Sequence, residues 1–171
     1  MALDFAKKLE EQGKFYELTI YAKDDHDVAL NREDRLKRTI EWFQNPRKKS
    51  IAQTLLKTIR AQNADAAVKQ YHELKKAQPN LYDWSENELN QLGYILINNR
   101  RLKEAVEIFR LNVEAYPNSA NAFDSLGEVY AIIGERDLAI KNYRRSLELN
   151  PQNTGAVEAL KKLEGQTNKV N

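Results

Sequence analysis

The chain has no cysteine and little glycine or proline. Among its 171 residues there are 6 glycines and 4 prolines, while 42% of the residues are hydrophobic and 30% are charged. The lack of cysteine excludes disulfide bonds, thiol catalysis and zinc sites built on thiolates. Scarce glycine and proline, together with this balance of apolar and charged residues, predict a folded, mostly helical protein rather than a disordered or fibrous one.

An excess of one charge and a long hydrophobic run are also missing. The 27 lysines and arginines nearly balance the 25 acidic residues, so the net charge of +2 gives no long-range field for nucleic acid or an anionic membrane. No stretch approaches the roughly 18 apolar residues of a membrane span, and the first residues lack the basic and apolar regions of an export signal. We therefore expect neither nucleic acid nor a membrane as a partner, and a cytoplasmic location by default.

The sequence does contain an internal repeat of 34 residues, which aligns residues 86–119 with residues 120–153. The second copy has a regular series of aromatic, small and turn residues: Phe123, Leu126, Gly127, Tyr130, Gly134, Ala139, Tyr143, Ser146 and Pro151. The first copy has their counterparts, with Arg100 in place of the turn glycine: Leu89, Leu92, Gly93, Leu96, Ala105, Phe109, Asn112 and Pro117. This series resembles the tetratricopeptide (TPR) repeat, and the resemblance implies an α-solenoid of antiparallel helix hairpins.

The physical roles of these residues agree with that architecture. Small residues such as Gly93 and Gly127 let two helices approach closely, and the aromatic residues fill the space between hairpins. Pro117 and Pro151 end the second helix of each pair, because proline has no amide hydrogen to donate and restricts the residue before it. We therefore assign the repeated aromatic residues to the core and not to a ligand site.

The helical pattern extends beyond both ends of the clear repeats. Residues 48–81 predict a degenerate repeat, whose second helix shows the spacing of Ala67, Tyr71, Leu74 and Pro79, and the extra residues 81–85 separate it from the next repeat. After Pro151, Thr154 is the expected cap of a last helix over residues 154–165. Its apolar side covers the final hairpin with Ala156, Leu160 and Leu163. The predicted TPR domain therefore spans residues 47–171.

The resemblance also implies a binding site, since the first helices of such hairpins line a concave groove. The groove positions carried over to this chain are Asn87, Asn90, Tyr94, Asn98, Asn121, Asp124, Glu128 and Ile132. Asparagine offers both a donor and an acceptor, which suits the main chain of an extended peptide; the alternative is that these are ordinary solvated side chains. Chaperone-binding relatives hold a terminal carboxylate with lysine and asparagine, whereas Asp124 and Glu128 would repel one.

Residues 1–46 do not follow the repeat. They predict a helix, a strand at residues 15–21, a polar loop containing His26, and a second helix. This order resembles the C-terminal end of α/β-hydrolases of the prolyl oligopeptidase family, in which His26 would fall at the catalytic histidine and act as general base. Asp27 departs from the glycine usual there. The resemblance makes this segment a hydrolase-derived remnant.

The remaining parts of a hydrolase site are missing from the sequence. No serine lies in a Gly-x-Ser-x-Gly elbow, and the histidine comes last in the order of such a triad. The chain by itself is therefore predicted to bind a protein or peptide without catalysis, cofactor or metal. One alternative is the end of a longer serine peptidase or esterase to which His26 contributes. The strand at residues 15–21 has no predicted neighbour, so pairing of its edge in a homo-oligomer is a further possibility.

Overall fold

The structure is a computed structural model that describes residues 48–165. Within this range the chain forms seven helices and two short strands: β1 (Lys49–Ser50), α1 (Ile51–Ala61), α2 (Ala64–Ala77), β2 (Tyr82–Asp83), α3 (Glu86–Asn98), α4 (Leu102–Ala115), α5 (Ala120–Ile133), α6 (Arg136–Leu149) and α7 (Thr154–Gly165). None of these helices is both long and apolar enough to cross a membrane.

The helices are arranged as successive hairpins. Helix α1 packs on α2, α3 on α4 and α5 on α6, while α7 packs against α6. Between hairpins, the first helices α1, α3 and α5 contact one another in order, and the second helices α2 and α4 also touch. The prediction of a mostly helical solenoid is confirmed for the described residues.

Two glycine–aromatic contacts set the spacing inside the clear hairpins. A Cβ atom added to Gly93 would lie 2.3 Å from the ring of Phe109, and one added to Gly127 would lie 3.0 Å from the ring of Tyr143. Both rings are buried, as the sequence predicts. The absence of a side chain at each glycine therefore leaves space for the aromatic ring of the second helix in the same hairpin.

The turns of the two clear repeats have the same left-handed residue. Gly134 follows α5 with φ of 84°, and Arg100, in the equivalent position after α3, has φ of 60°. A side chain in this region strains the backbone by about 1–2 kcal/mol, which glycine avoids. Arg100 thus takes the glycine conformation at a cost in stability, and the turn survives the substitution.

Residues 81–85, which separate two repeats, also contain a short β-strand. Tyr82 and Asp83 form β2, which pairs in parallel with β1 at Lys49 and Ser50. Across the same junction, the carboxylate of Glu88 accepts hydrogen bonds from the Ser50 hydroxyl and, at 3.0 Å, from the Ala52 amide. The first turn of α1 is therefore capped from α3, which the sequence pattern does not predict.

The cap of α7 differs from the one predicted. The side chain of Asn153 accepts a hydrogen bond from the Ala156 amide at 3.2 Å, so Asn153 caps the helix and Thr154 is its first residue. The prediction that Thr154 is the cap is wrong by one position. Either residue type can cap a helix, so composition alone does not choose between them. Ala156 and Leu160 are buried as predicted.

Replacing Gly93 with alanine should destabilise the fold. The added methyl group would overlap the buried Phe109 ring at 2.3 Å, and overpacking of this kind costs about 1–3 kcal/mol. The matched control is Gly155→Ala, where the nearest atom lies at 3.4 Å and the change should be neutral or slightly stabilising. Urea unfolding followed by circular dichroism measures both; equal stability of the two variants would contradict the packing argument.

Candidate functional site

The predicted groove residues lie on the exposed side of α3 and α5, which we call the α3–α5 face. Four of them are exposed, namely Asn87, Asn98, Asn121 and Ile132, and the other four are half-buried, namely Asn90, Tyr94, Asp124 and Glu128. On α3 the half-buried positions are one helical turn apart, so they point to the same side of the helix. The structure therefore brings side chains from both repeats together on one surface.

Tyr94 joins the two helices of this face. Its hydroxyl lies 2.7 Å from a carboxylate oxygen of Glu128 and 3.2 Å from the hydroxyl of Ser125. Because the single hydroxyl hydrogen of Tyr94 goes to the carboxylate, Ser125 donates to the oxygen of Tyr94. Burial raises the pKa of Tyr94 to about 12, and the hydrogen bond to Glu128 acts in the same direction. Tyr94 is therefore a neutral donor to the carboxylate at physiological pH.

A second cross-helix contact lies at the N-terminal end of the same face. The amide nitrogen of Asn121 donates a hydrogen bond of 2.7 Å to the carboxylate of Glu86. Glu86 and Ser125 were not among the residues predicted from the sequence. Helical spacing could have predicted that both residues lie on this face. Glu86 lies one helical turn before Asn90, and Ser125 lies one turn after Asn121.

Asp124 belongs to a polar triad that links three elements. The side-chain amide of Asn153 donates to Asp124 at 2.9 Å and to the hydroxyl of Ser146 at 2.9 Å. Burial raises the pKa of Asp124, the hydrogen bond from Asn153 lowers it, and the charge of Glu128 raises it again. The net shift is upward, so the folded protein holds a charged Asp124 less readily than the unfolded chain does.

The equivalent triad of the first repeat is not linked. Positions 34 residues earlier are Asn90, Asn112 and Ser119. The Oδ1 atom of Asn90 and both polar atoms of Asn112 are buried without a hydrogen-bond partner, and Asn112 is 0% exposed. The hydroxyl of Ser119 instead caps α5 through the Ala122 amide. One hydroxyl hydrogen cannot replace the two amide hydrogens with which Asn153 bridges its neighbours.

The other predicted functional residue, His26, lies outside the described residues. So do the predicted helices of the hydrolase-like segment and the strand at residues 15–21 proposed for self-association. Within residues 48–165 no group of histidine, cysteine and acidic side chains is arranged to hold a metal ion. His72, the histidine in that range, is exposed, and its Nε2 atom lies 3.7 Å from Oε1 of Glu114.

A comparison with protein families identifies the repeats. Residues 89–119 and 120–153 match the family model described as tetratricopeptide repeat. These two segments are therefore tetratricopeptide repeats. Nothing in the comparisons supports the resemblance of residues 1–46 to an α/β-hydrolase, and no curated protein matches the chain in sequence.

Solved structures of similar architecture include two kinds of protein. One is the first TPR domain of Spaghetti (RPAP3) bound to the HSP90 peptide SRMEEVD, at 19% identity over 69% of this chain and 90% of that chain, with a TM-score of 0.48. The first TPR domain of human RPAP3 gives 19% identity over the same shares and a TM-score of 0.49. A crystal structure of MamA gives 22% identity over 82% of this chain and 67% of that chain, with a TM-score of 0.47. Similarity at these levels concerns the fold and identifies no ligand.

The raised pKa of Asp124 predicts that the difference in the free energy of unfolding between the wild type and Asp124→Asn depends on pH. Below the ordinary value of 3.8 the carboxyl is protonated in both folded and unfolded chains. As the pH rises through the higher folded pKa, the folded state releases its proton later than the unfolded state, so the wild type loses stability relative to the variant. Urea unfolding of both proteins at pH 3.5 and pH 7 measures this; a difference that does not change with pH would contradict it.

Exchanging two residues should complete the triad of the first repeat. The double variant Asn112→Ser with Ser119→Asn copies the second repeat. The side-chain amide introduced at position 119 would donate hydrogen bonds to Asn90 and to the serine hydroxyl introduced at position 112. Its side-chain oxygen would still cap α5. Because buried unsatisfied polar groups cost about 1–3 kcal/mol, we expect a gain of about 1 kcal/mol in the free energy of unfolding. The single variant Asn112→Ser is the control. A double variant no more stable than the wild type would contradict the repeat equivalence.

Proposed function

We propose that this chain is a protein-interaction module that binds an extended peptide segment of another protein along the α3–α5 face, without catalysis in the chain itself. The observation that carries the proposal is the combination on this face of exposed Asn87, Asn98 and Asn121 with the apolar Ile132, which is 47% exposed. Amides that can donate and accept, next to an exposed apolar side chain, suit a peptide main chain with alternating side chains.

The packing of the repeats supports the same function. Since α3 and α5 belong to successive hairpins that contact each other directly, their outward side chains form one surface instead of two separate ones. The cross-helix hydrogen bonds from Tyr94 to Glu128 and from Asn121 to Glu86 hold the helices in a fixed register. A surface that is already ordered loses little conformational entropy when a ligand binds.

The test begins with a ligand selected without assumptions about its sequence. A phage-displayed library of random dodecapeptides is selected on the immobilised full chain, and the dissociation constant of an enriched peptide is then measured by fluorescence anisotropy. The double variant Asn90→Ala with Asn121→Ala should weaken this binding roughly thirtyfold, because two hydrogen bonds of about 1 kcal/mol each are lost. Its helix content should be unchanged, since alanine favours helix.

The control is the double variant Lys69→Ala with Glu73→Ala, which removes an exposed pair from the second helix α2. It should bind the peptide as the wild type does. If the groove variant binds with an unchanged dissociation constant, the assignment of the α3–α5 face is wrong. If the library yields no enriched peptide on the wild type, the proposal of peptide binding itself fails.

A further inference from the structure

Two arginine side chains stand at the C-terminal ends of α1 and α3 without a partner among the described residues. Arg60 is the next-to-last residue of α1, Arg100 lies in the turn after α3, and both are exposed. Neither guanidinium makes a hydrogen bond or an ion pair within residues 48–165, whereas four other arginines of that range each pair with a glutamate. Both guanidinium groups therefore have donors to offer to a ligand.

Helix α1 turns its cations away from the core. One side of this helix is buried through Leu55 and Ile59, while Gln53, Lys57 and Arg60 are exposed. Their spacings of four and three residues place the exposed three on one stripe. Since α1 contains no acidic residue, nothing on the same helix neutralises this stripe.

Arg60 has the same position in its repeat as Asn98 in the next. The second helices α2 and α4 begin 38 residues apart, at Ala64 and Leu102, and the same offset relates Arg60 to Asn98. Asn98 is exposed at the end of α3, and α1 contacts α3 directly. Arg60 therefore extends the α3–α5 face onto α1.

A hydrogen bond holds the turn after α3 against the end of α1. The Nη2 atom of Arg101 donates to the carbonyl oxygen of Ile59 at 3.1 Å, directly before Arg60 in the sequence. Arg101 also pairs with Glu104 at 2.9 Å, so its own charge is balanced. Arg100, the residue before it, has no such pair. The turn thus brings a second unpaired guanidinium to the same end of the helices.

The backbone of Arg100 is an independent sign that its side chain has a use. Arg100 has φ of 60°, in the left-handed region where the second repeat has Gly134. Glycine adopts this conformation without strain, and an arginine does not. Backbone strain of this kind collects at ligand sites, where a particular side chain is needed.

The local charge at this end is positive. Each helix C-terminus contributes only about half a negative charge, so the two arginines together with Lys57 outweigh the ends of α1 and α3. Asp65, in the first turn of α2, makes no ion pair with a described residue. Asp124 and Glu128 lie on α5, two interhelical steps or about 16–20 Å away, which exceeds the Debye length of about 8 Å. An anion at this end therefore meets net attraction.

We propose that Arg60, Arg100 and Asn98 recognise an acidic side chain, aspartate or glutamate, of the bound peptide where it passes from α3 to α1. Guanidinium groups bind carboxylates through paired N–H donors, and the amide of Asn98 adds another donor. The carboxylate belongs to a residue within the segment, so no free chain end is needed. This inference rests on the proposed peptide-binding function and specifies one residue of its ligand.

The experiment compares selections from the random dodecapeptide library on three forms of the full chain. These are the wild type, the double variant Arg60→Gln with Arg100→Gln, and the control Lys76→Gln with Lys141→Gln, which removes two exposed cations from second helices. The displayed peptides are fused at their C-termini, so any shared acid is a side chain. The wild type and the control should enrich peptides that share an aspartate or glutamate at one position, whereas the double variant should not.

Binding of the tightest wild-type peptide then assigns the contact. Changing its shared glutamate to glutamine, or aspartate to asparagine, should weaken binding about tenfold, because charge-assisted hydrogen bonds are lost. The same change should have no further effect on the double variant. Enriched peptides without a shared acid, or a loss below about threefold, would overturn the inference while leaving peptide binding intact. A selection that yields no peptide would overturn both.

Arg100→Gly separates recognition from a structural role. Glycine relieves the left-handed strain, so the midpoint of urea unfolding should not fall, yet the acidic peptide should bind more weakly. A purely structural role would lower the unfolding midpoint. Unchanged binding of the acidic peptide by this variant would overturn the assignment of Arg100.

Discussion

The close approach of a glycine and an aromatic ring inside each of the two clear hairpins is the constraint on which the rest of the arrangement depends. Phe109 occupies the space where a Cβ of Gly93 would be, and Tyr94, next to that glycine, packs edge-on against the same ring with centroids 5.3 Å apart. The ring thus sets both the helix spacing and the position of Tyr94. From there the Tyr94 hydroxyl reaches Glu128 on α5, so the core contact also positions the side chains that link α3 and α5.

The repeat also explains why similar positions behave differently in the two copies. Asn153 bridges Asp124 and Ser146 because an amide has two hydrogens, and its counterpart Ser119 has one, which leaves Asn90 without a donor. Differences at the helix cap and at position 112 therefore accompany the change in hydrogen bonding of Asn90 on the preceding helix. The first repeat consequently contains more buried polar atoms without a hydrogen-bond partner than the second.

The helices, the hairpins and the buried aromatic residues could be predicted because they follow from a 34-residue period and from local rules for glycine and proline. The exposed groove positions also follow from that period. The pairing of Lys49 with Tyr82 and the cap that Glu88 provides to α1 could not, since they join residues more than 30 positions apart and have no periodic signal. The cap at Asn153 was missed because asparagine and threonine stand next to each other there and both residue types cap helices, although asparagine does so more often.

The net charge of the chain does not predict the charge of the α3–α5 face, because helices α3 and α5 carry acidic but no basic residues. A chain with a charge of +2 still places Asp124 and Glu128 one turn apart on a helix without any basic residue, because its lysines and arginines lie on other elements than α3 and α5. Burial raises the pKa of Asp124, so the folded state holds this charge at some cost in stability. A bound cation would offset that cost, whereas a bound carboxylate would add to it. Local charge is therefore a property of the α3–α5 face that the net charge of the whole chain does not reveal.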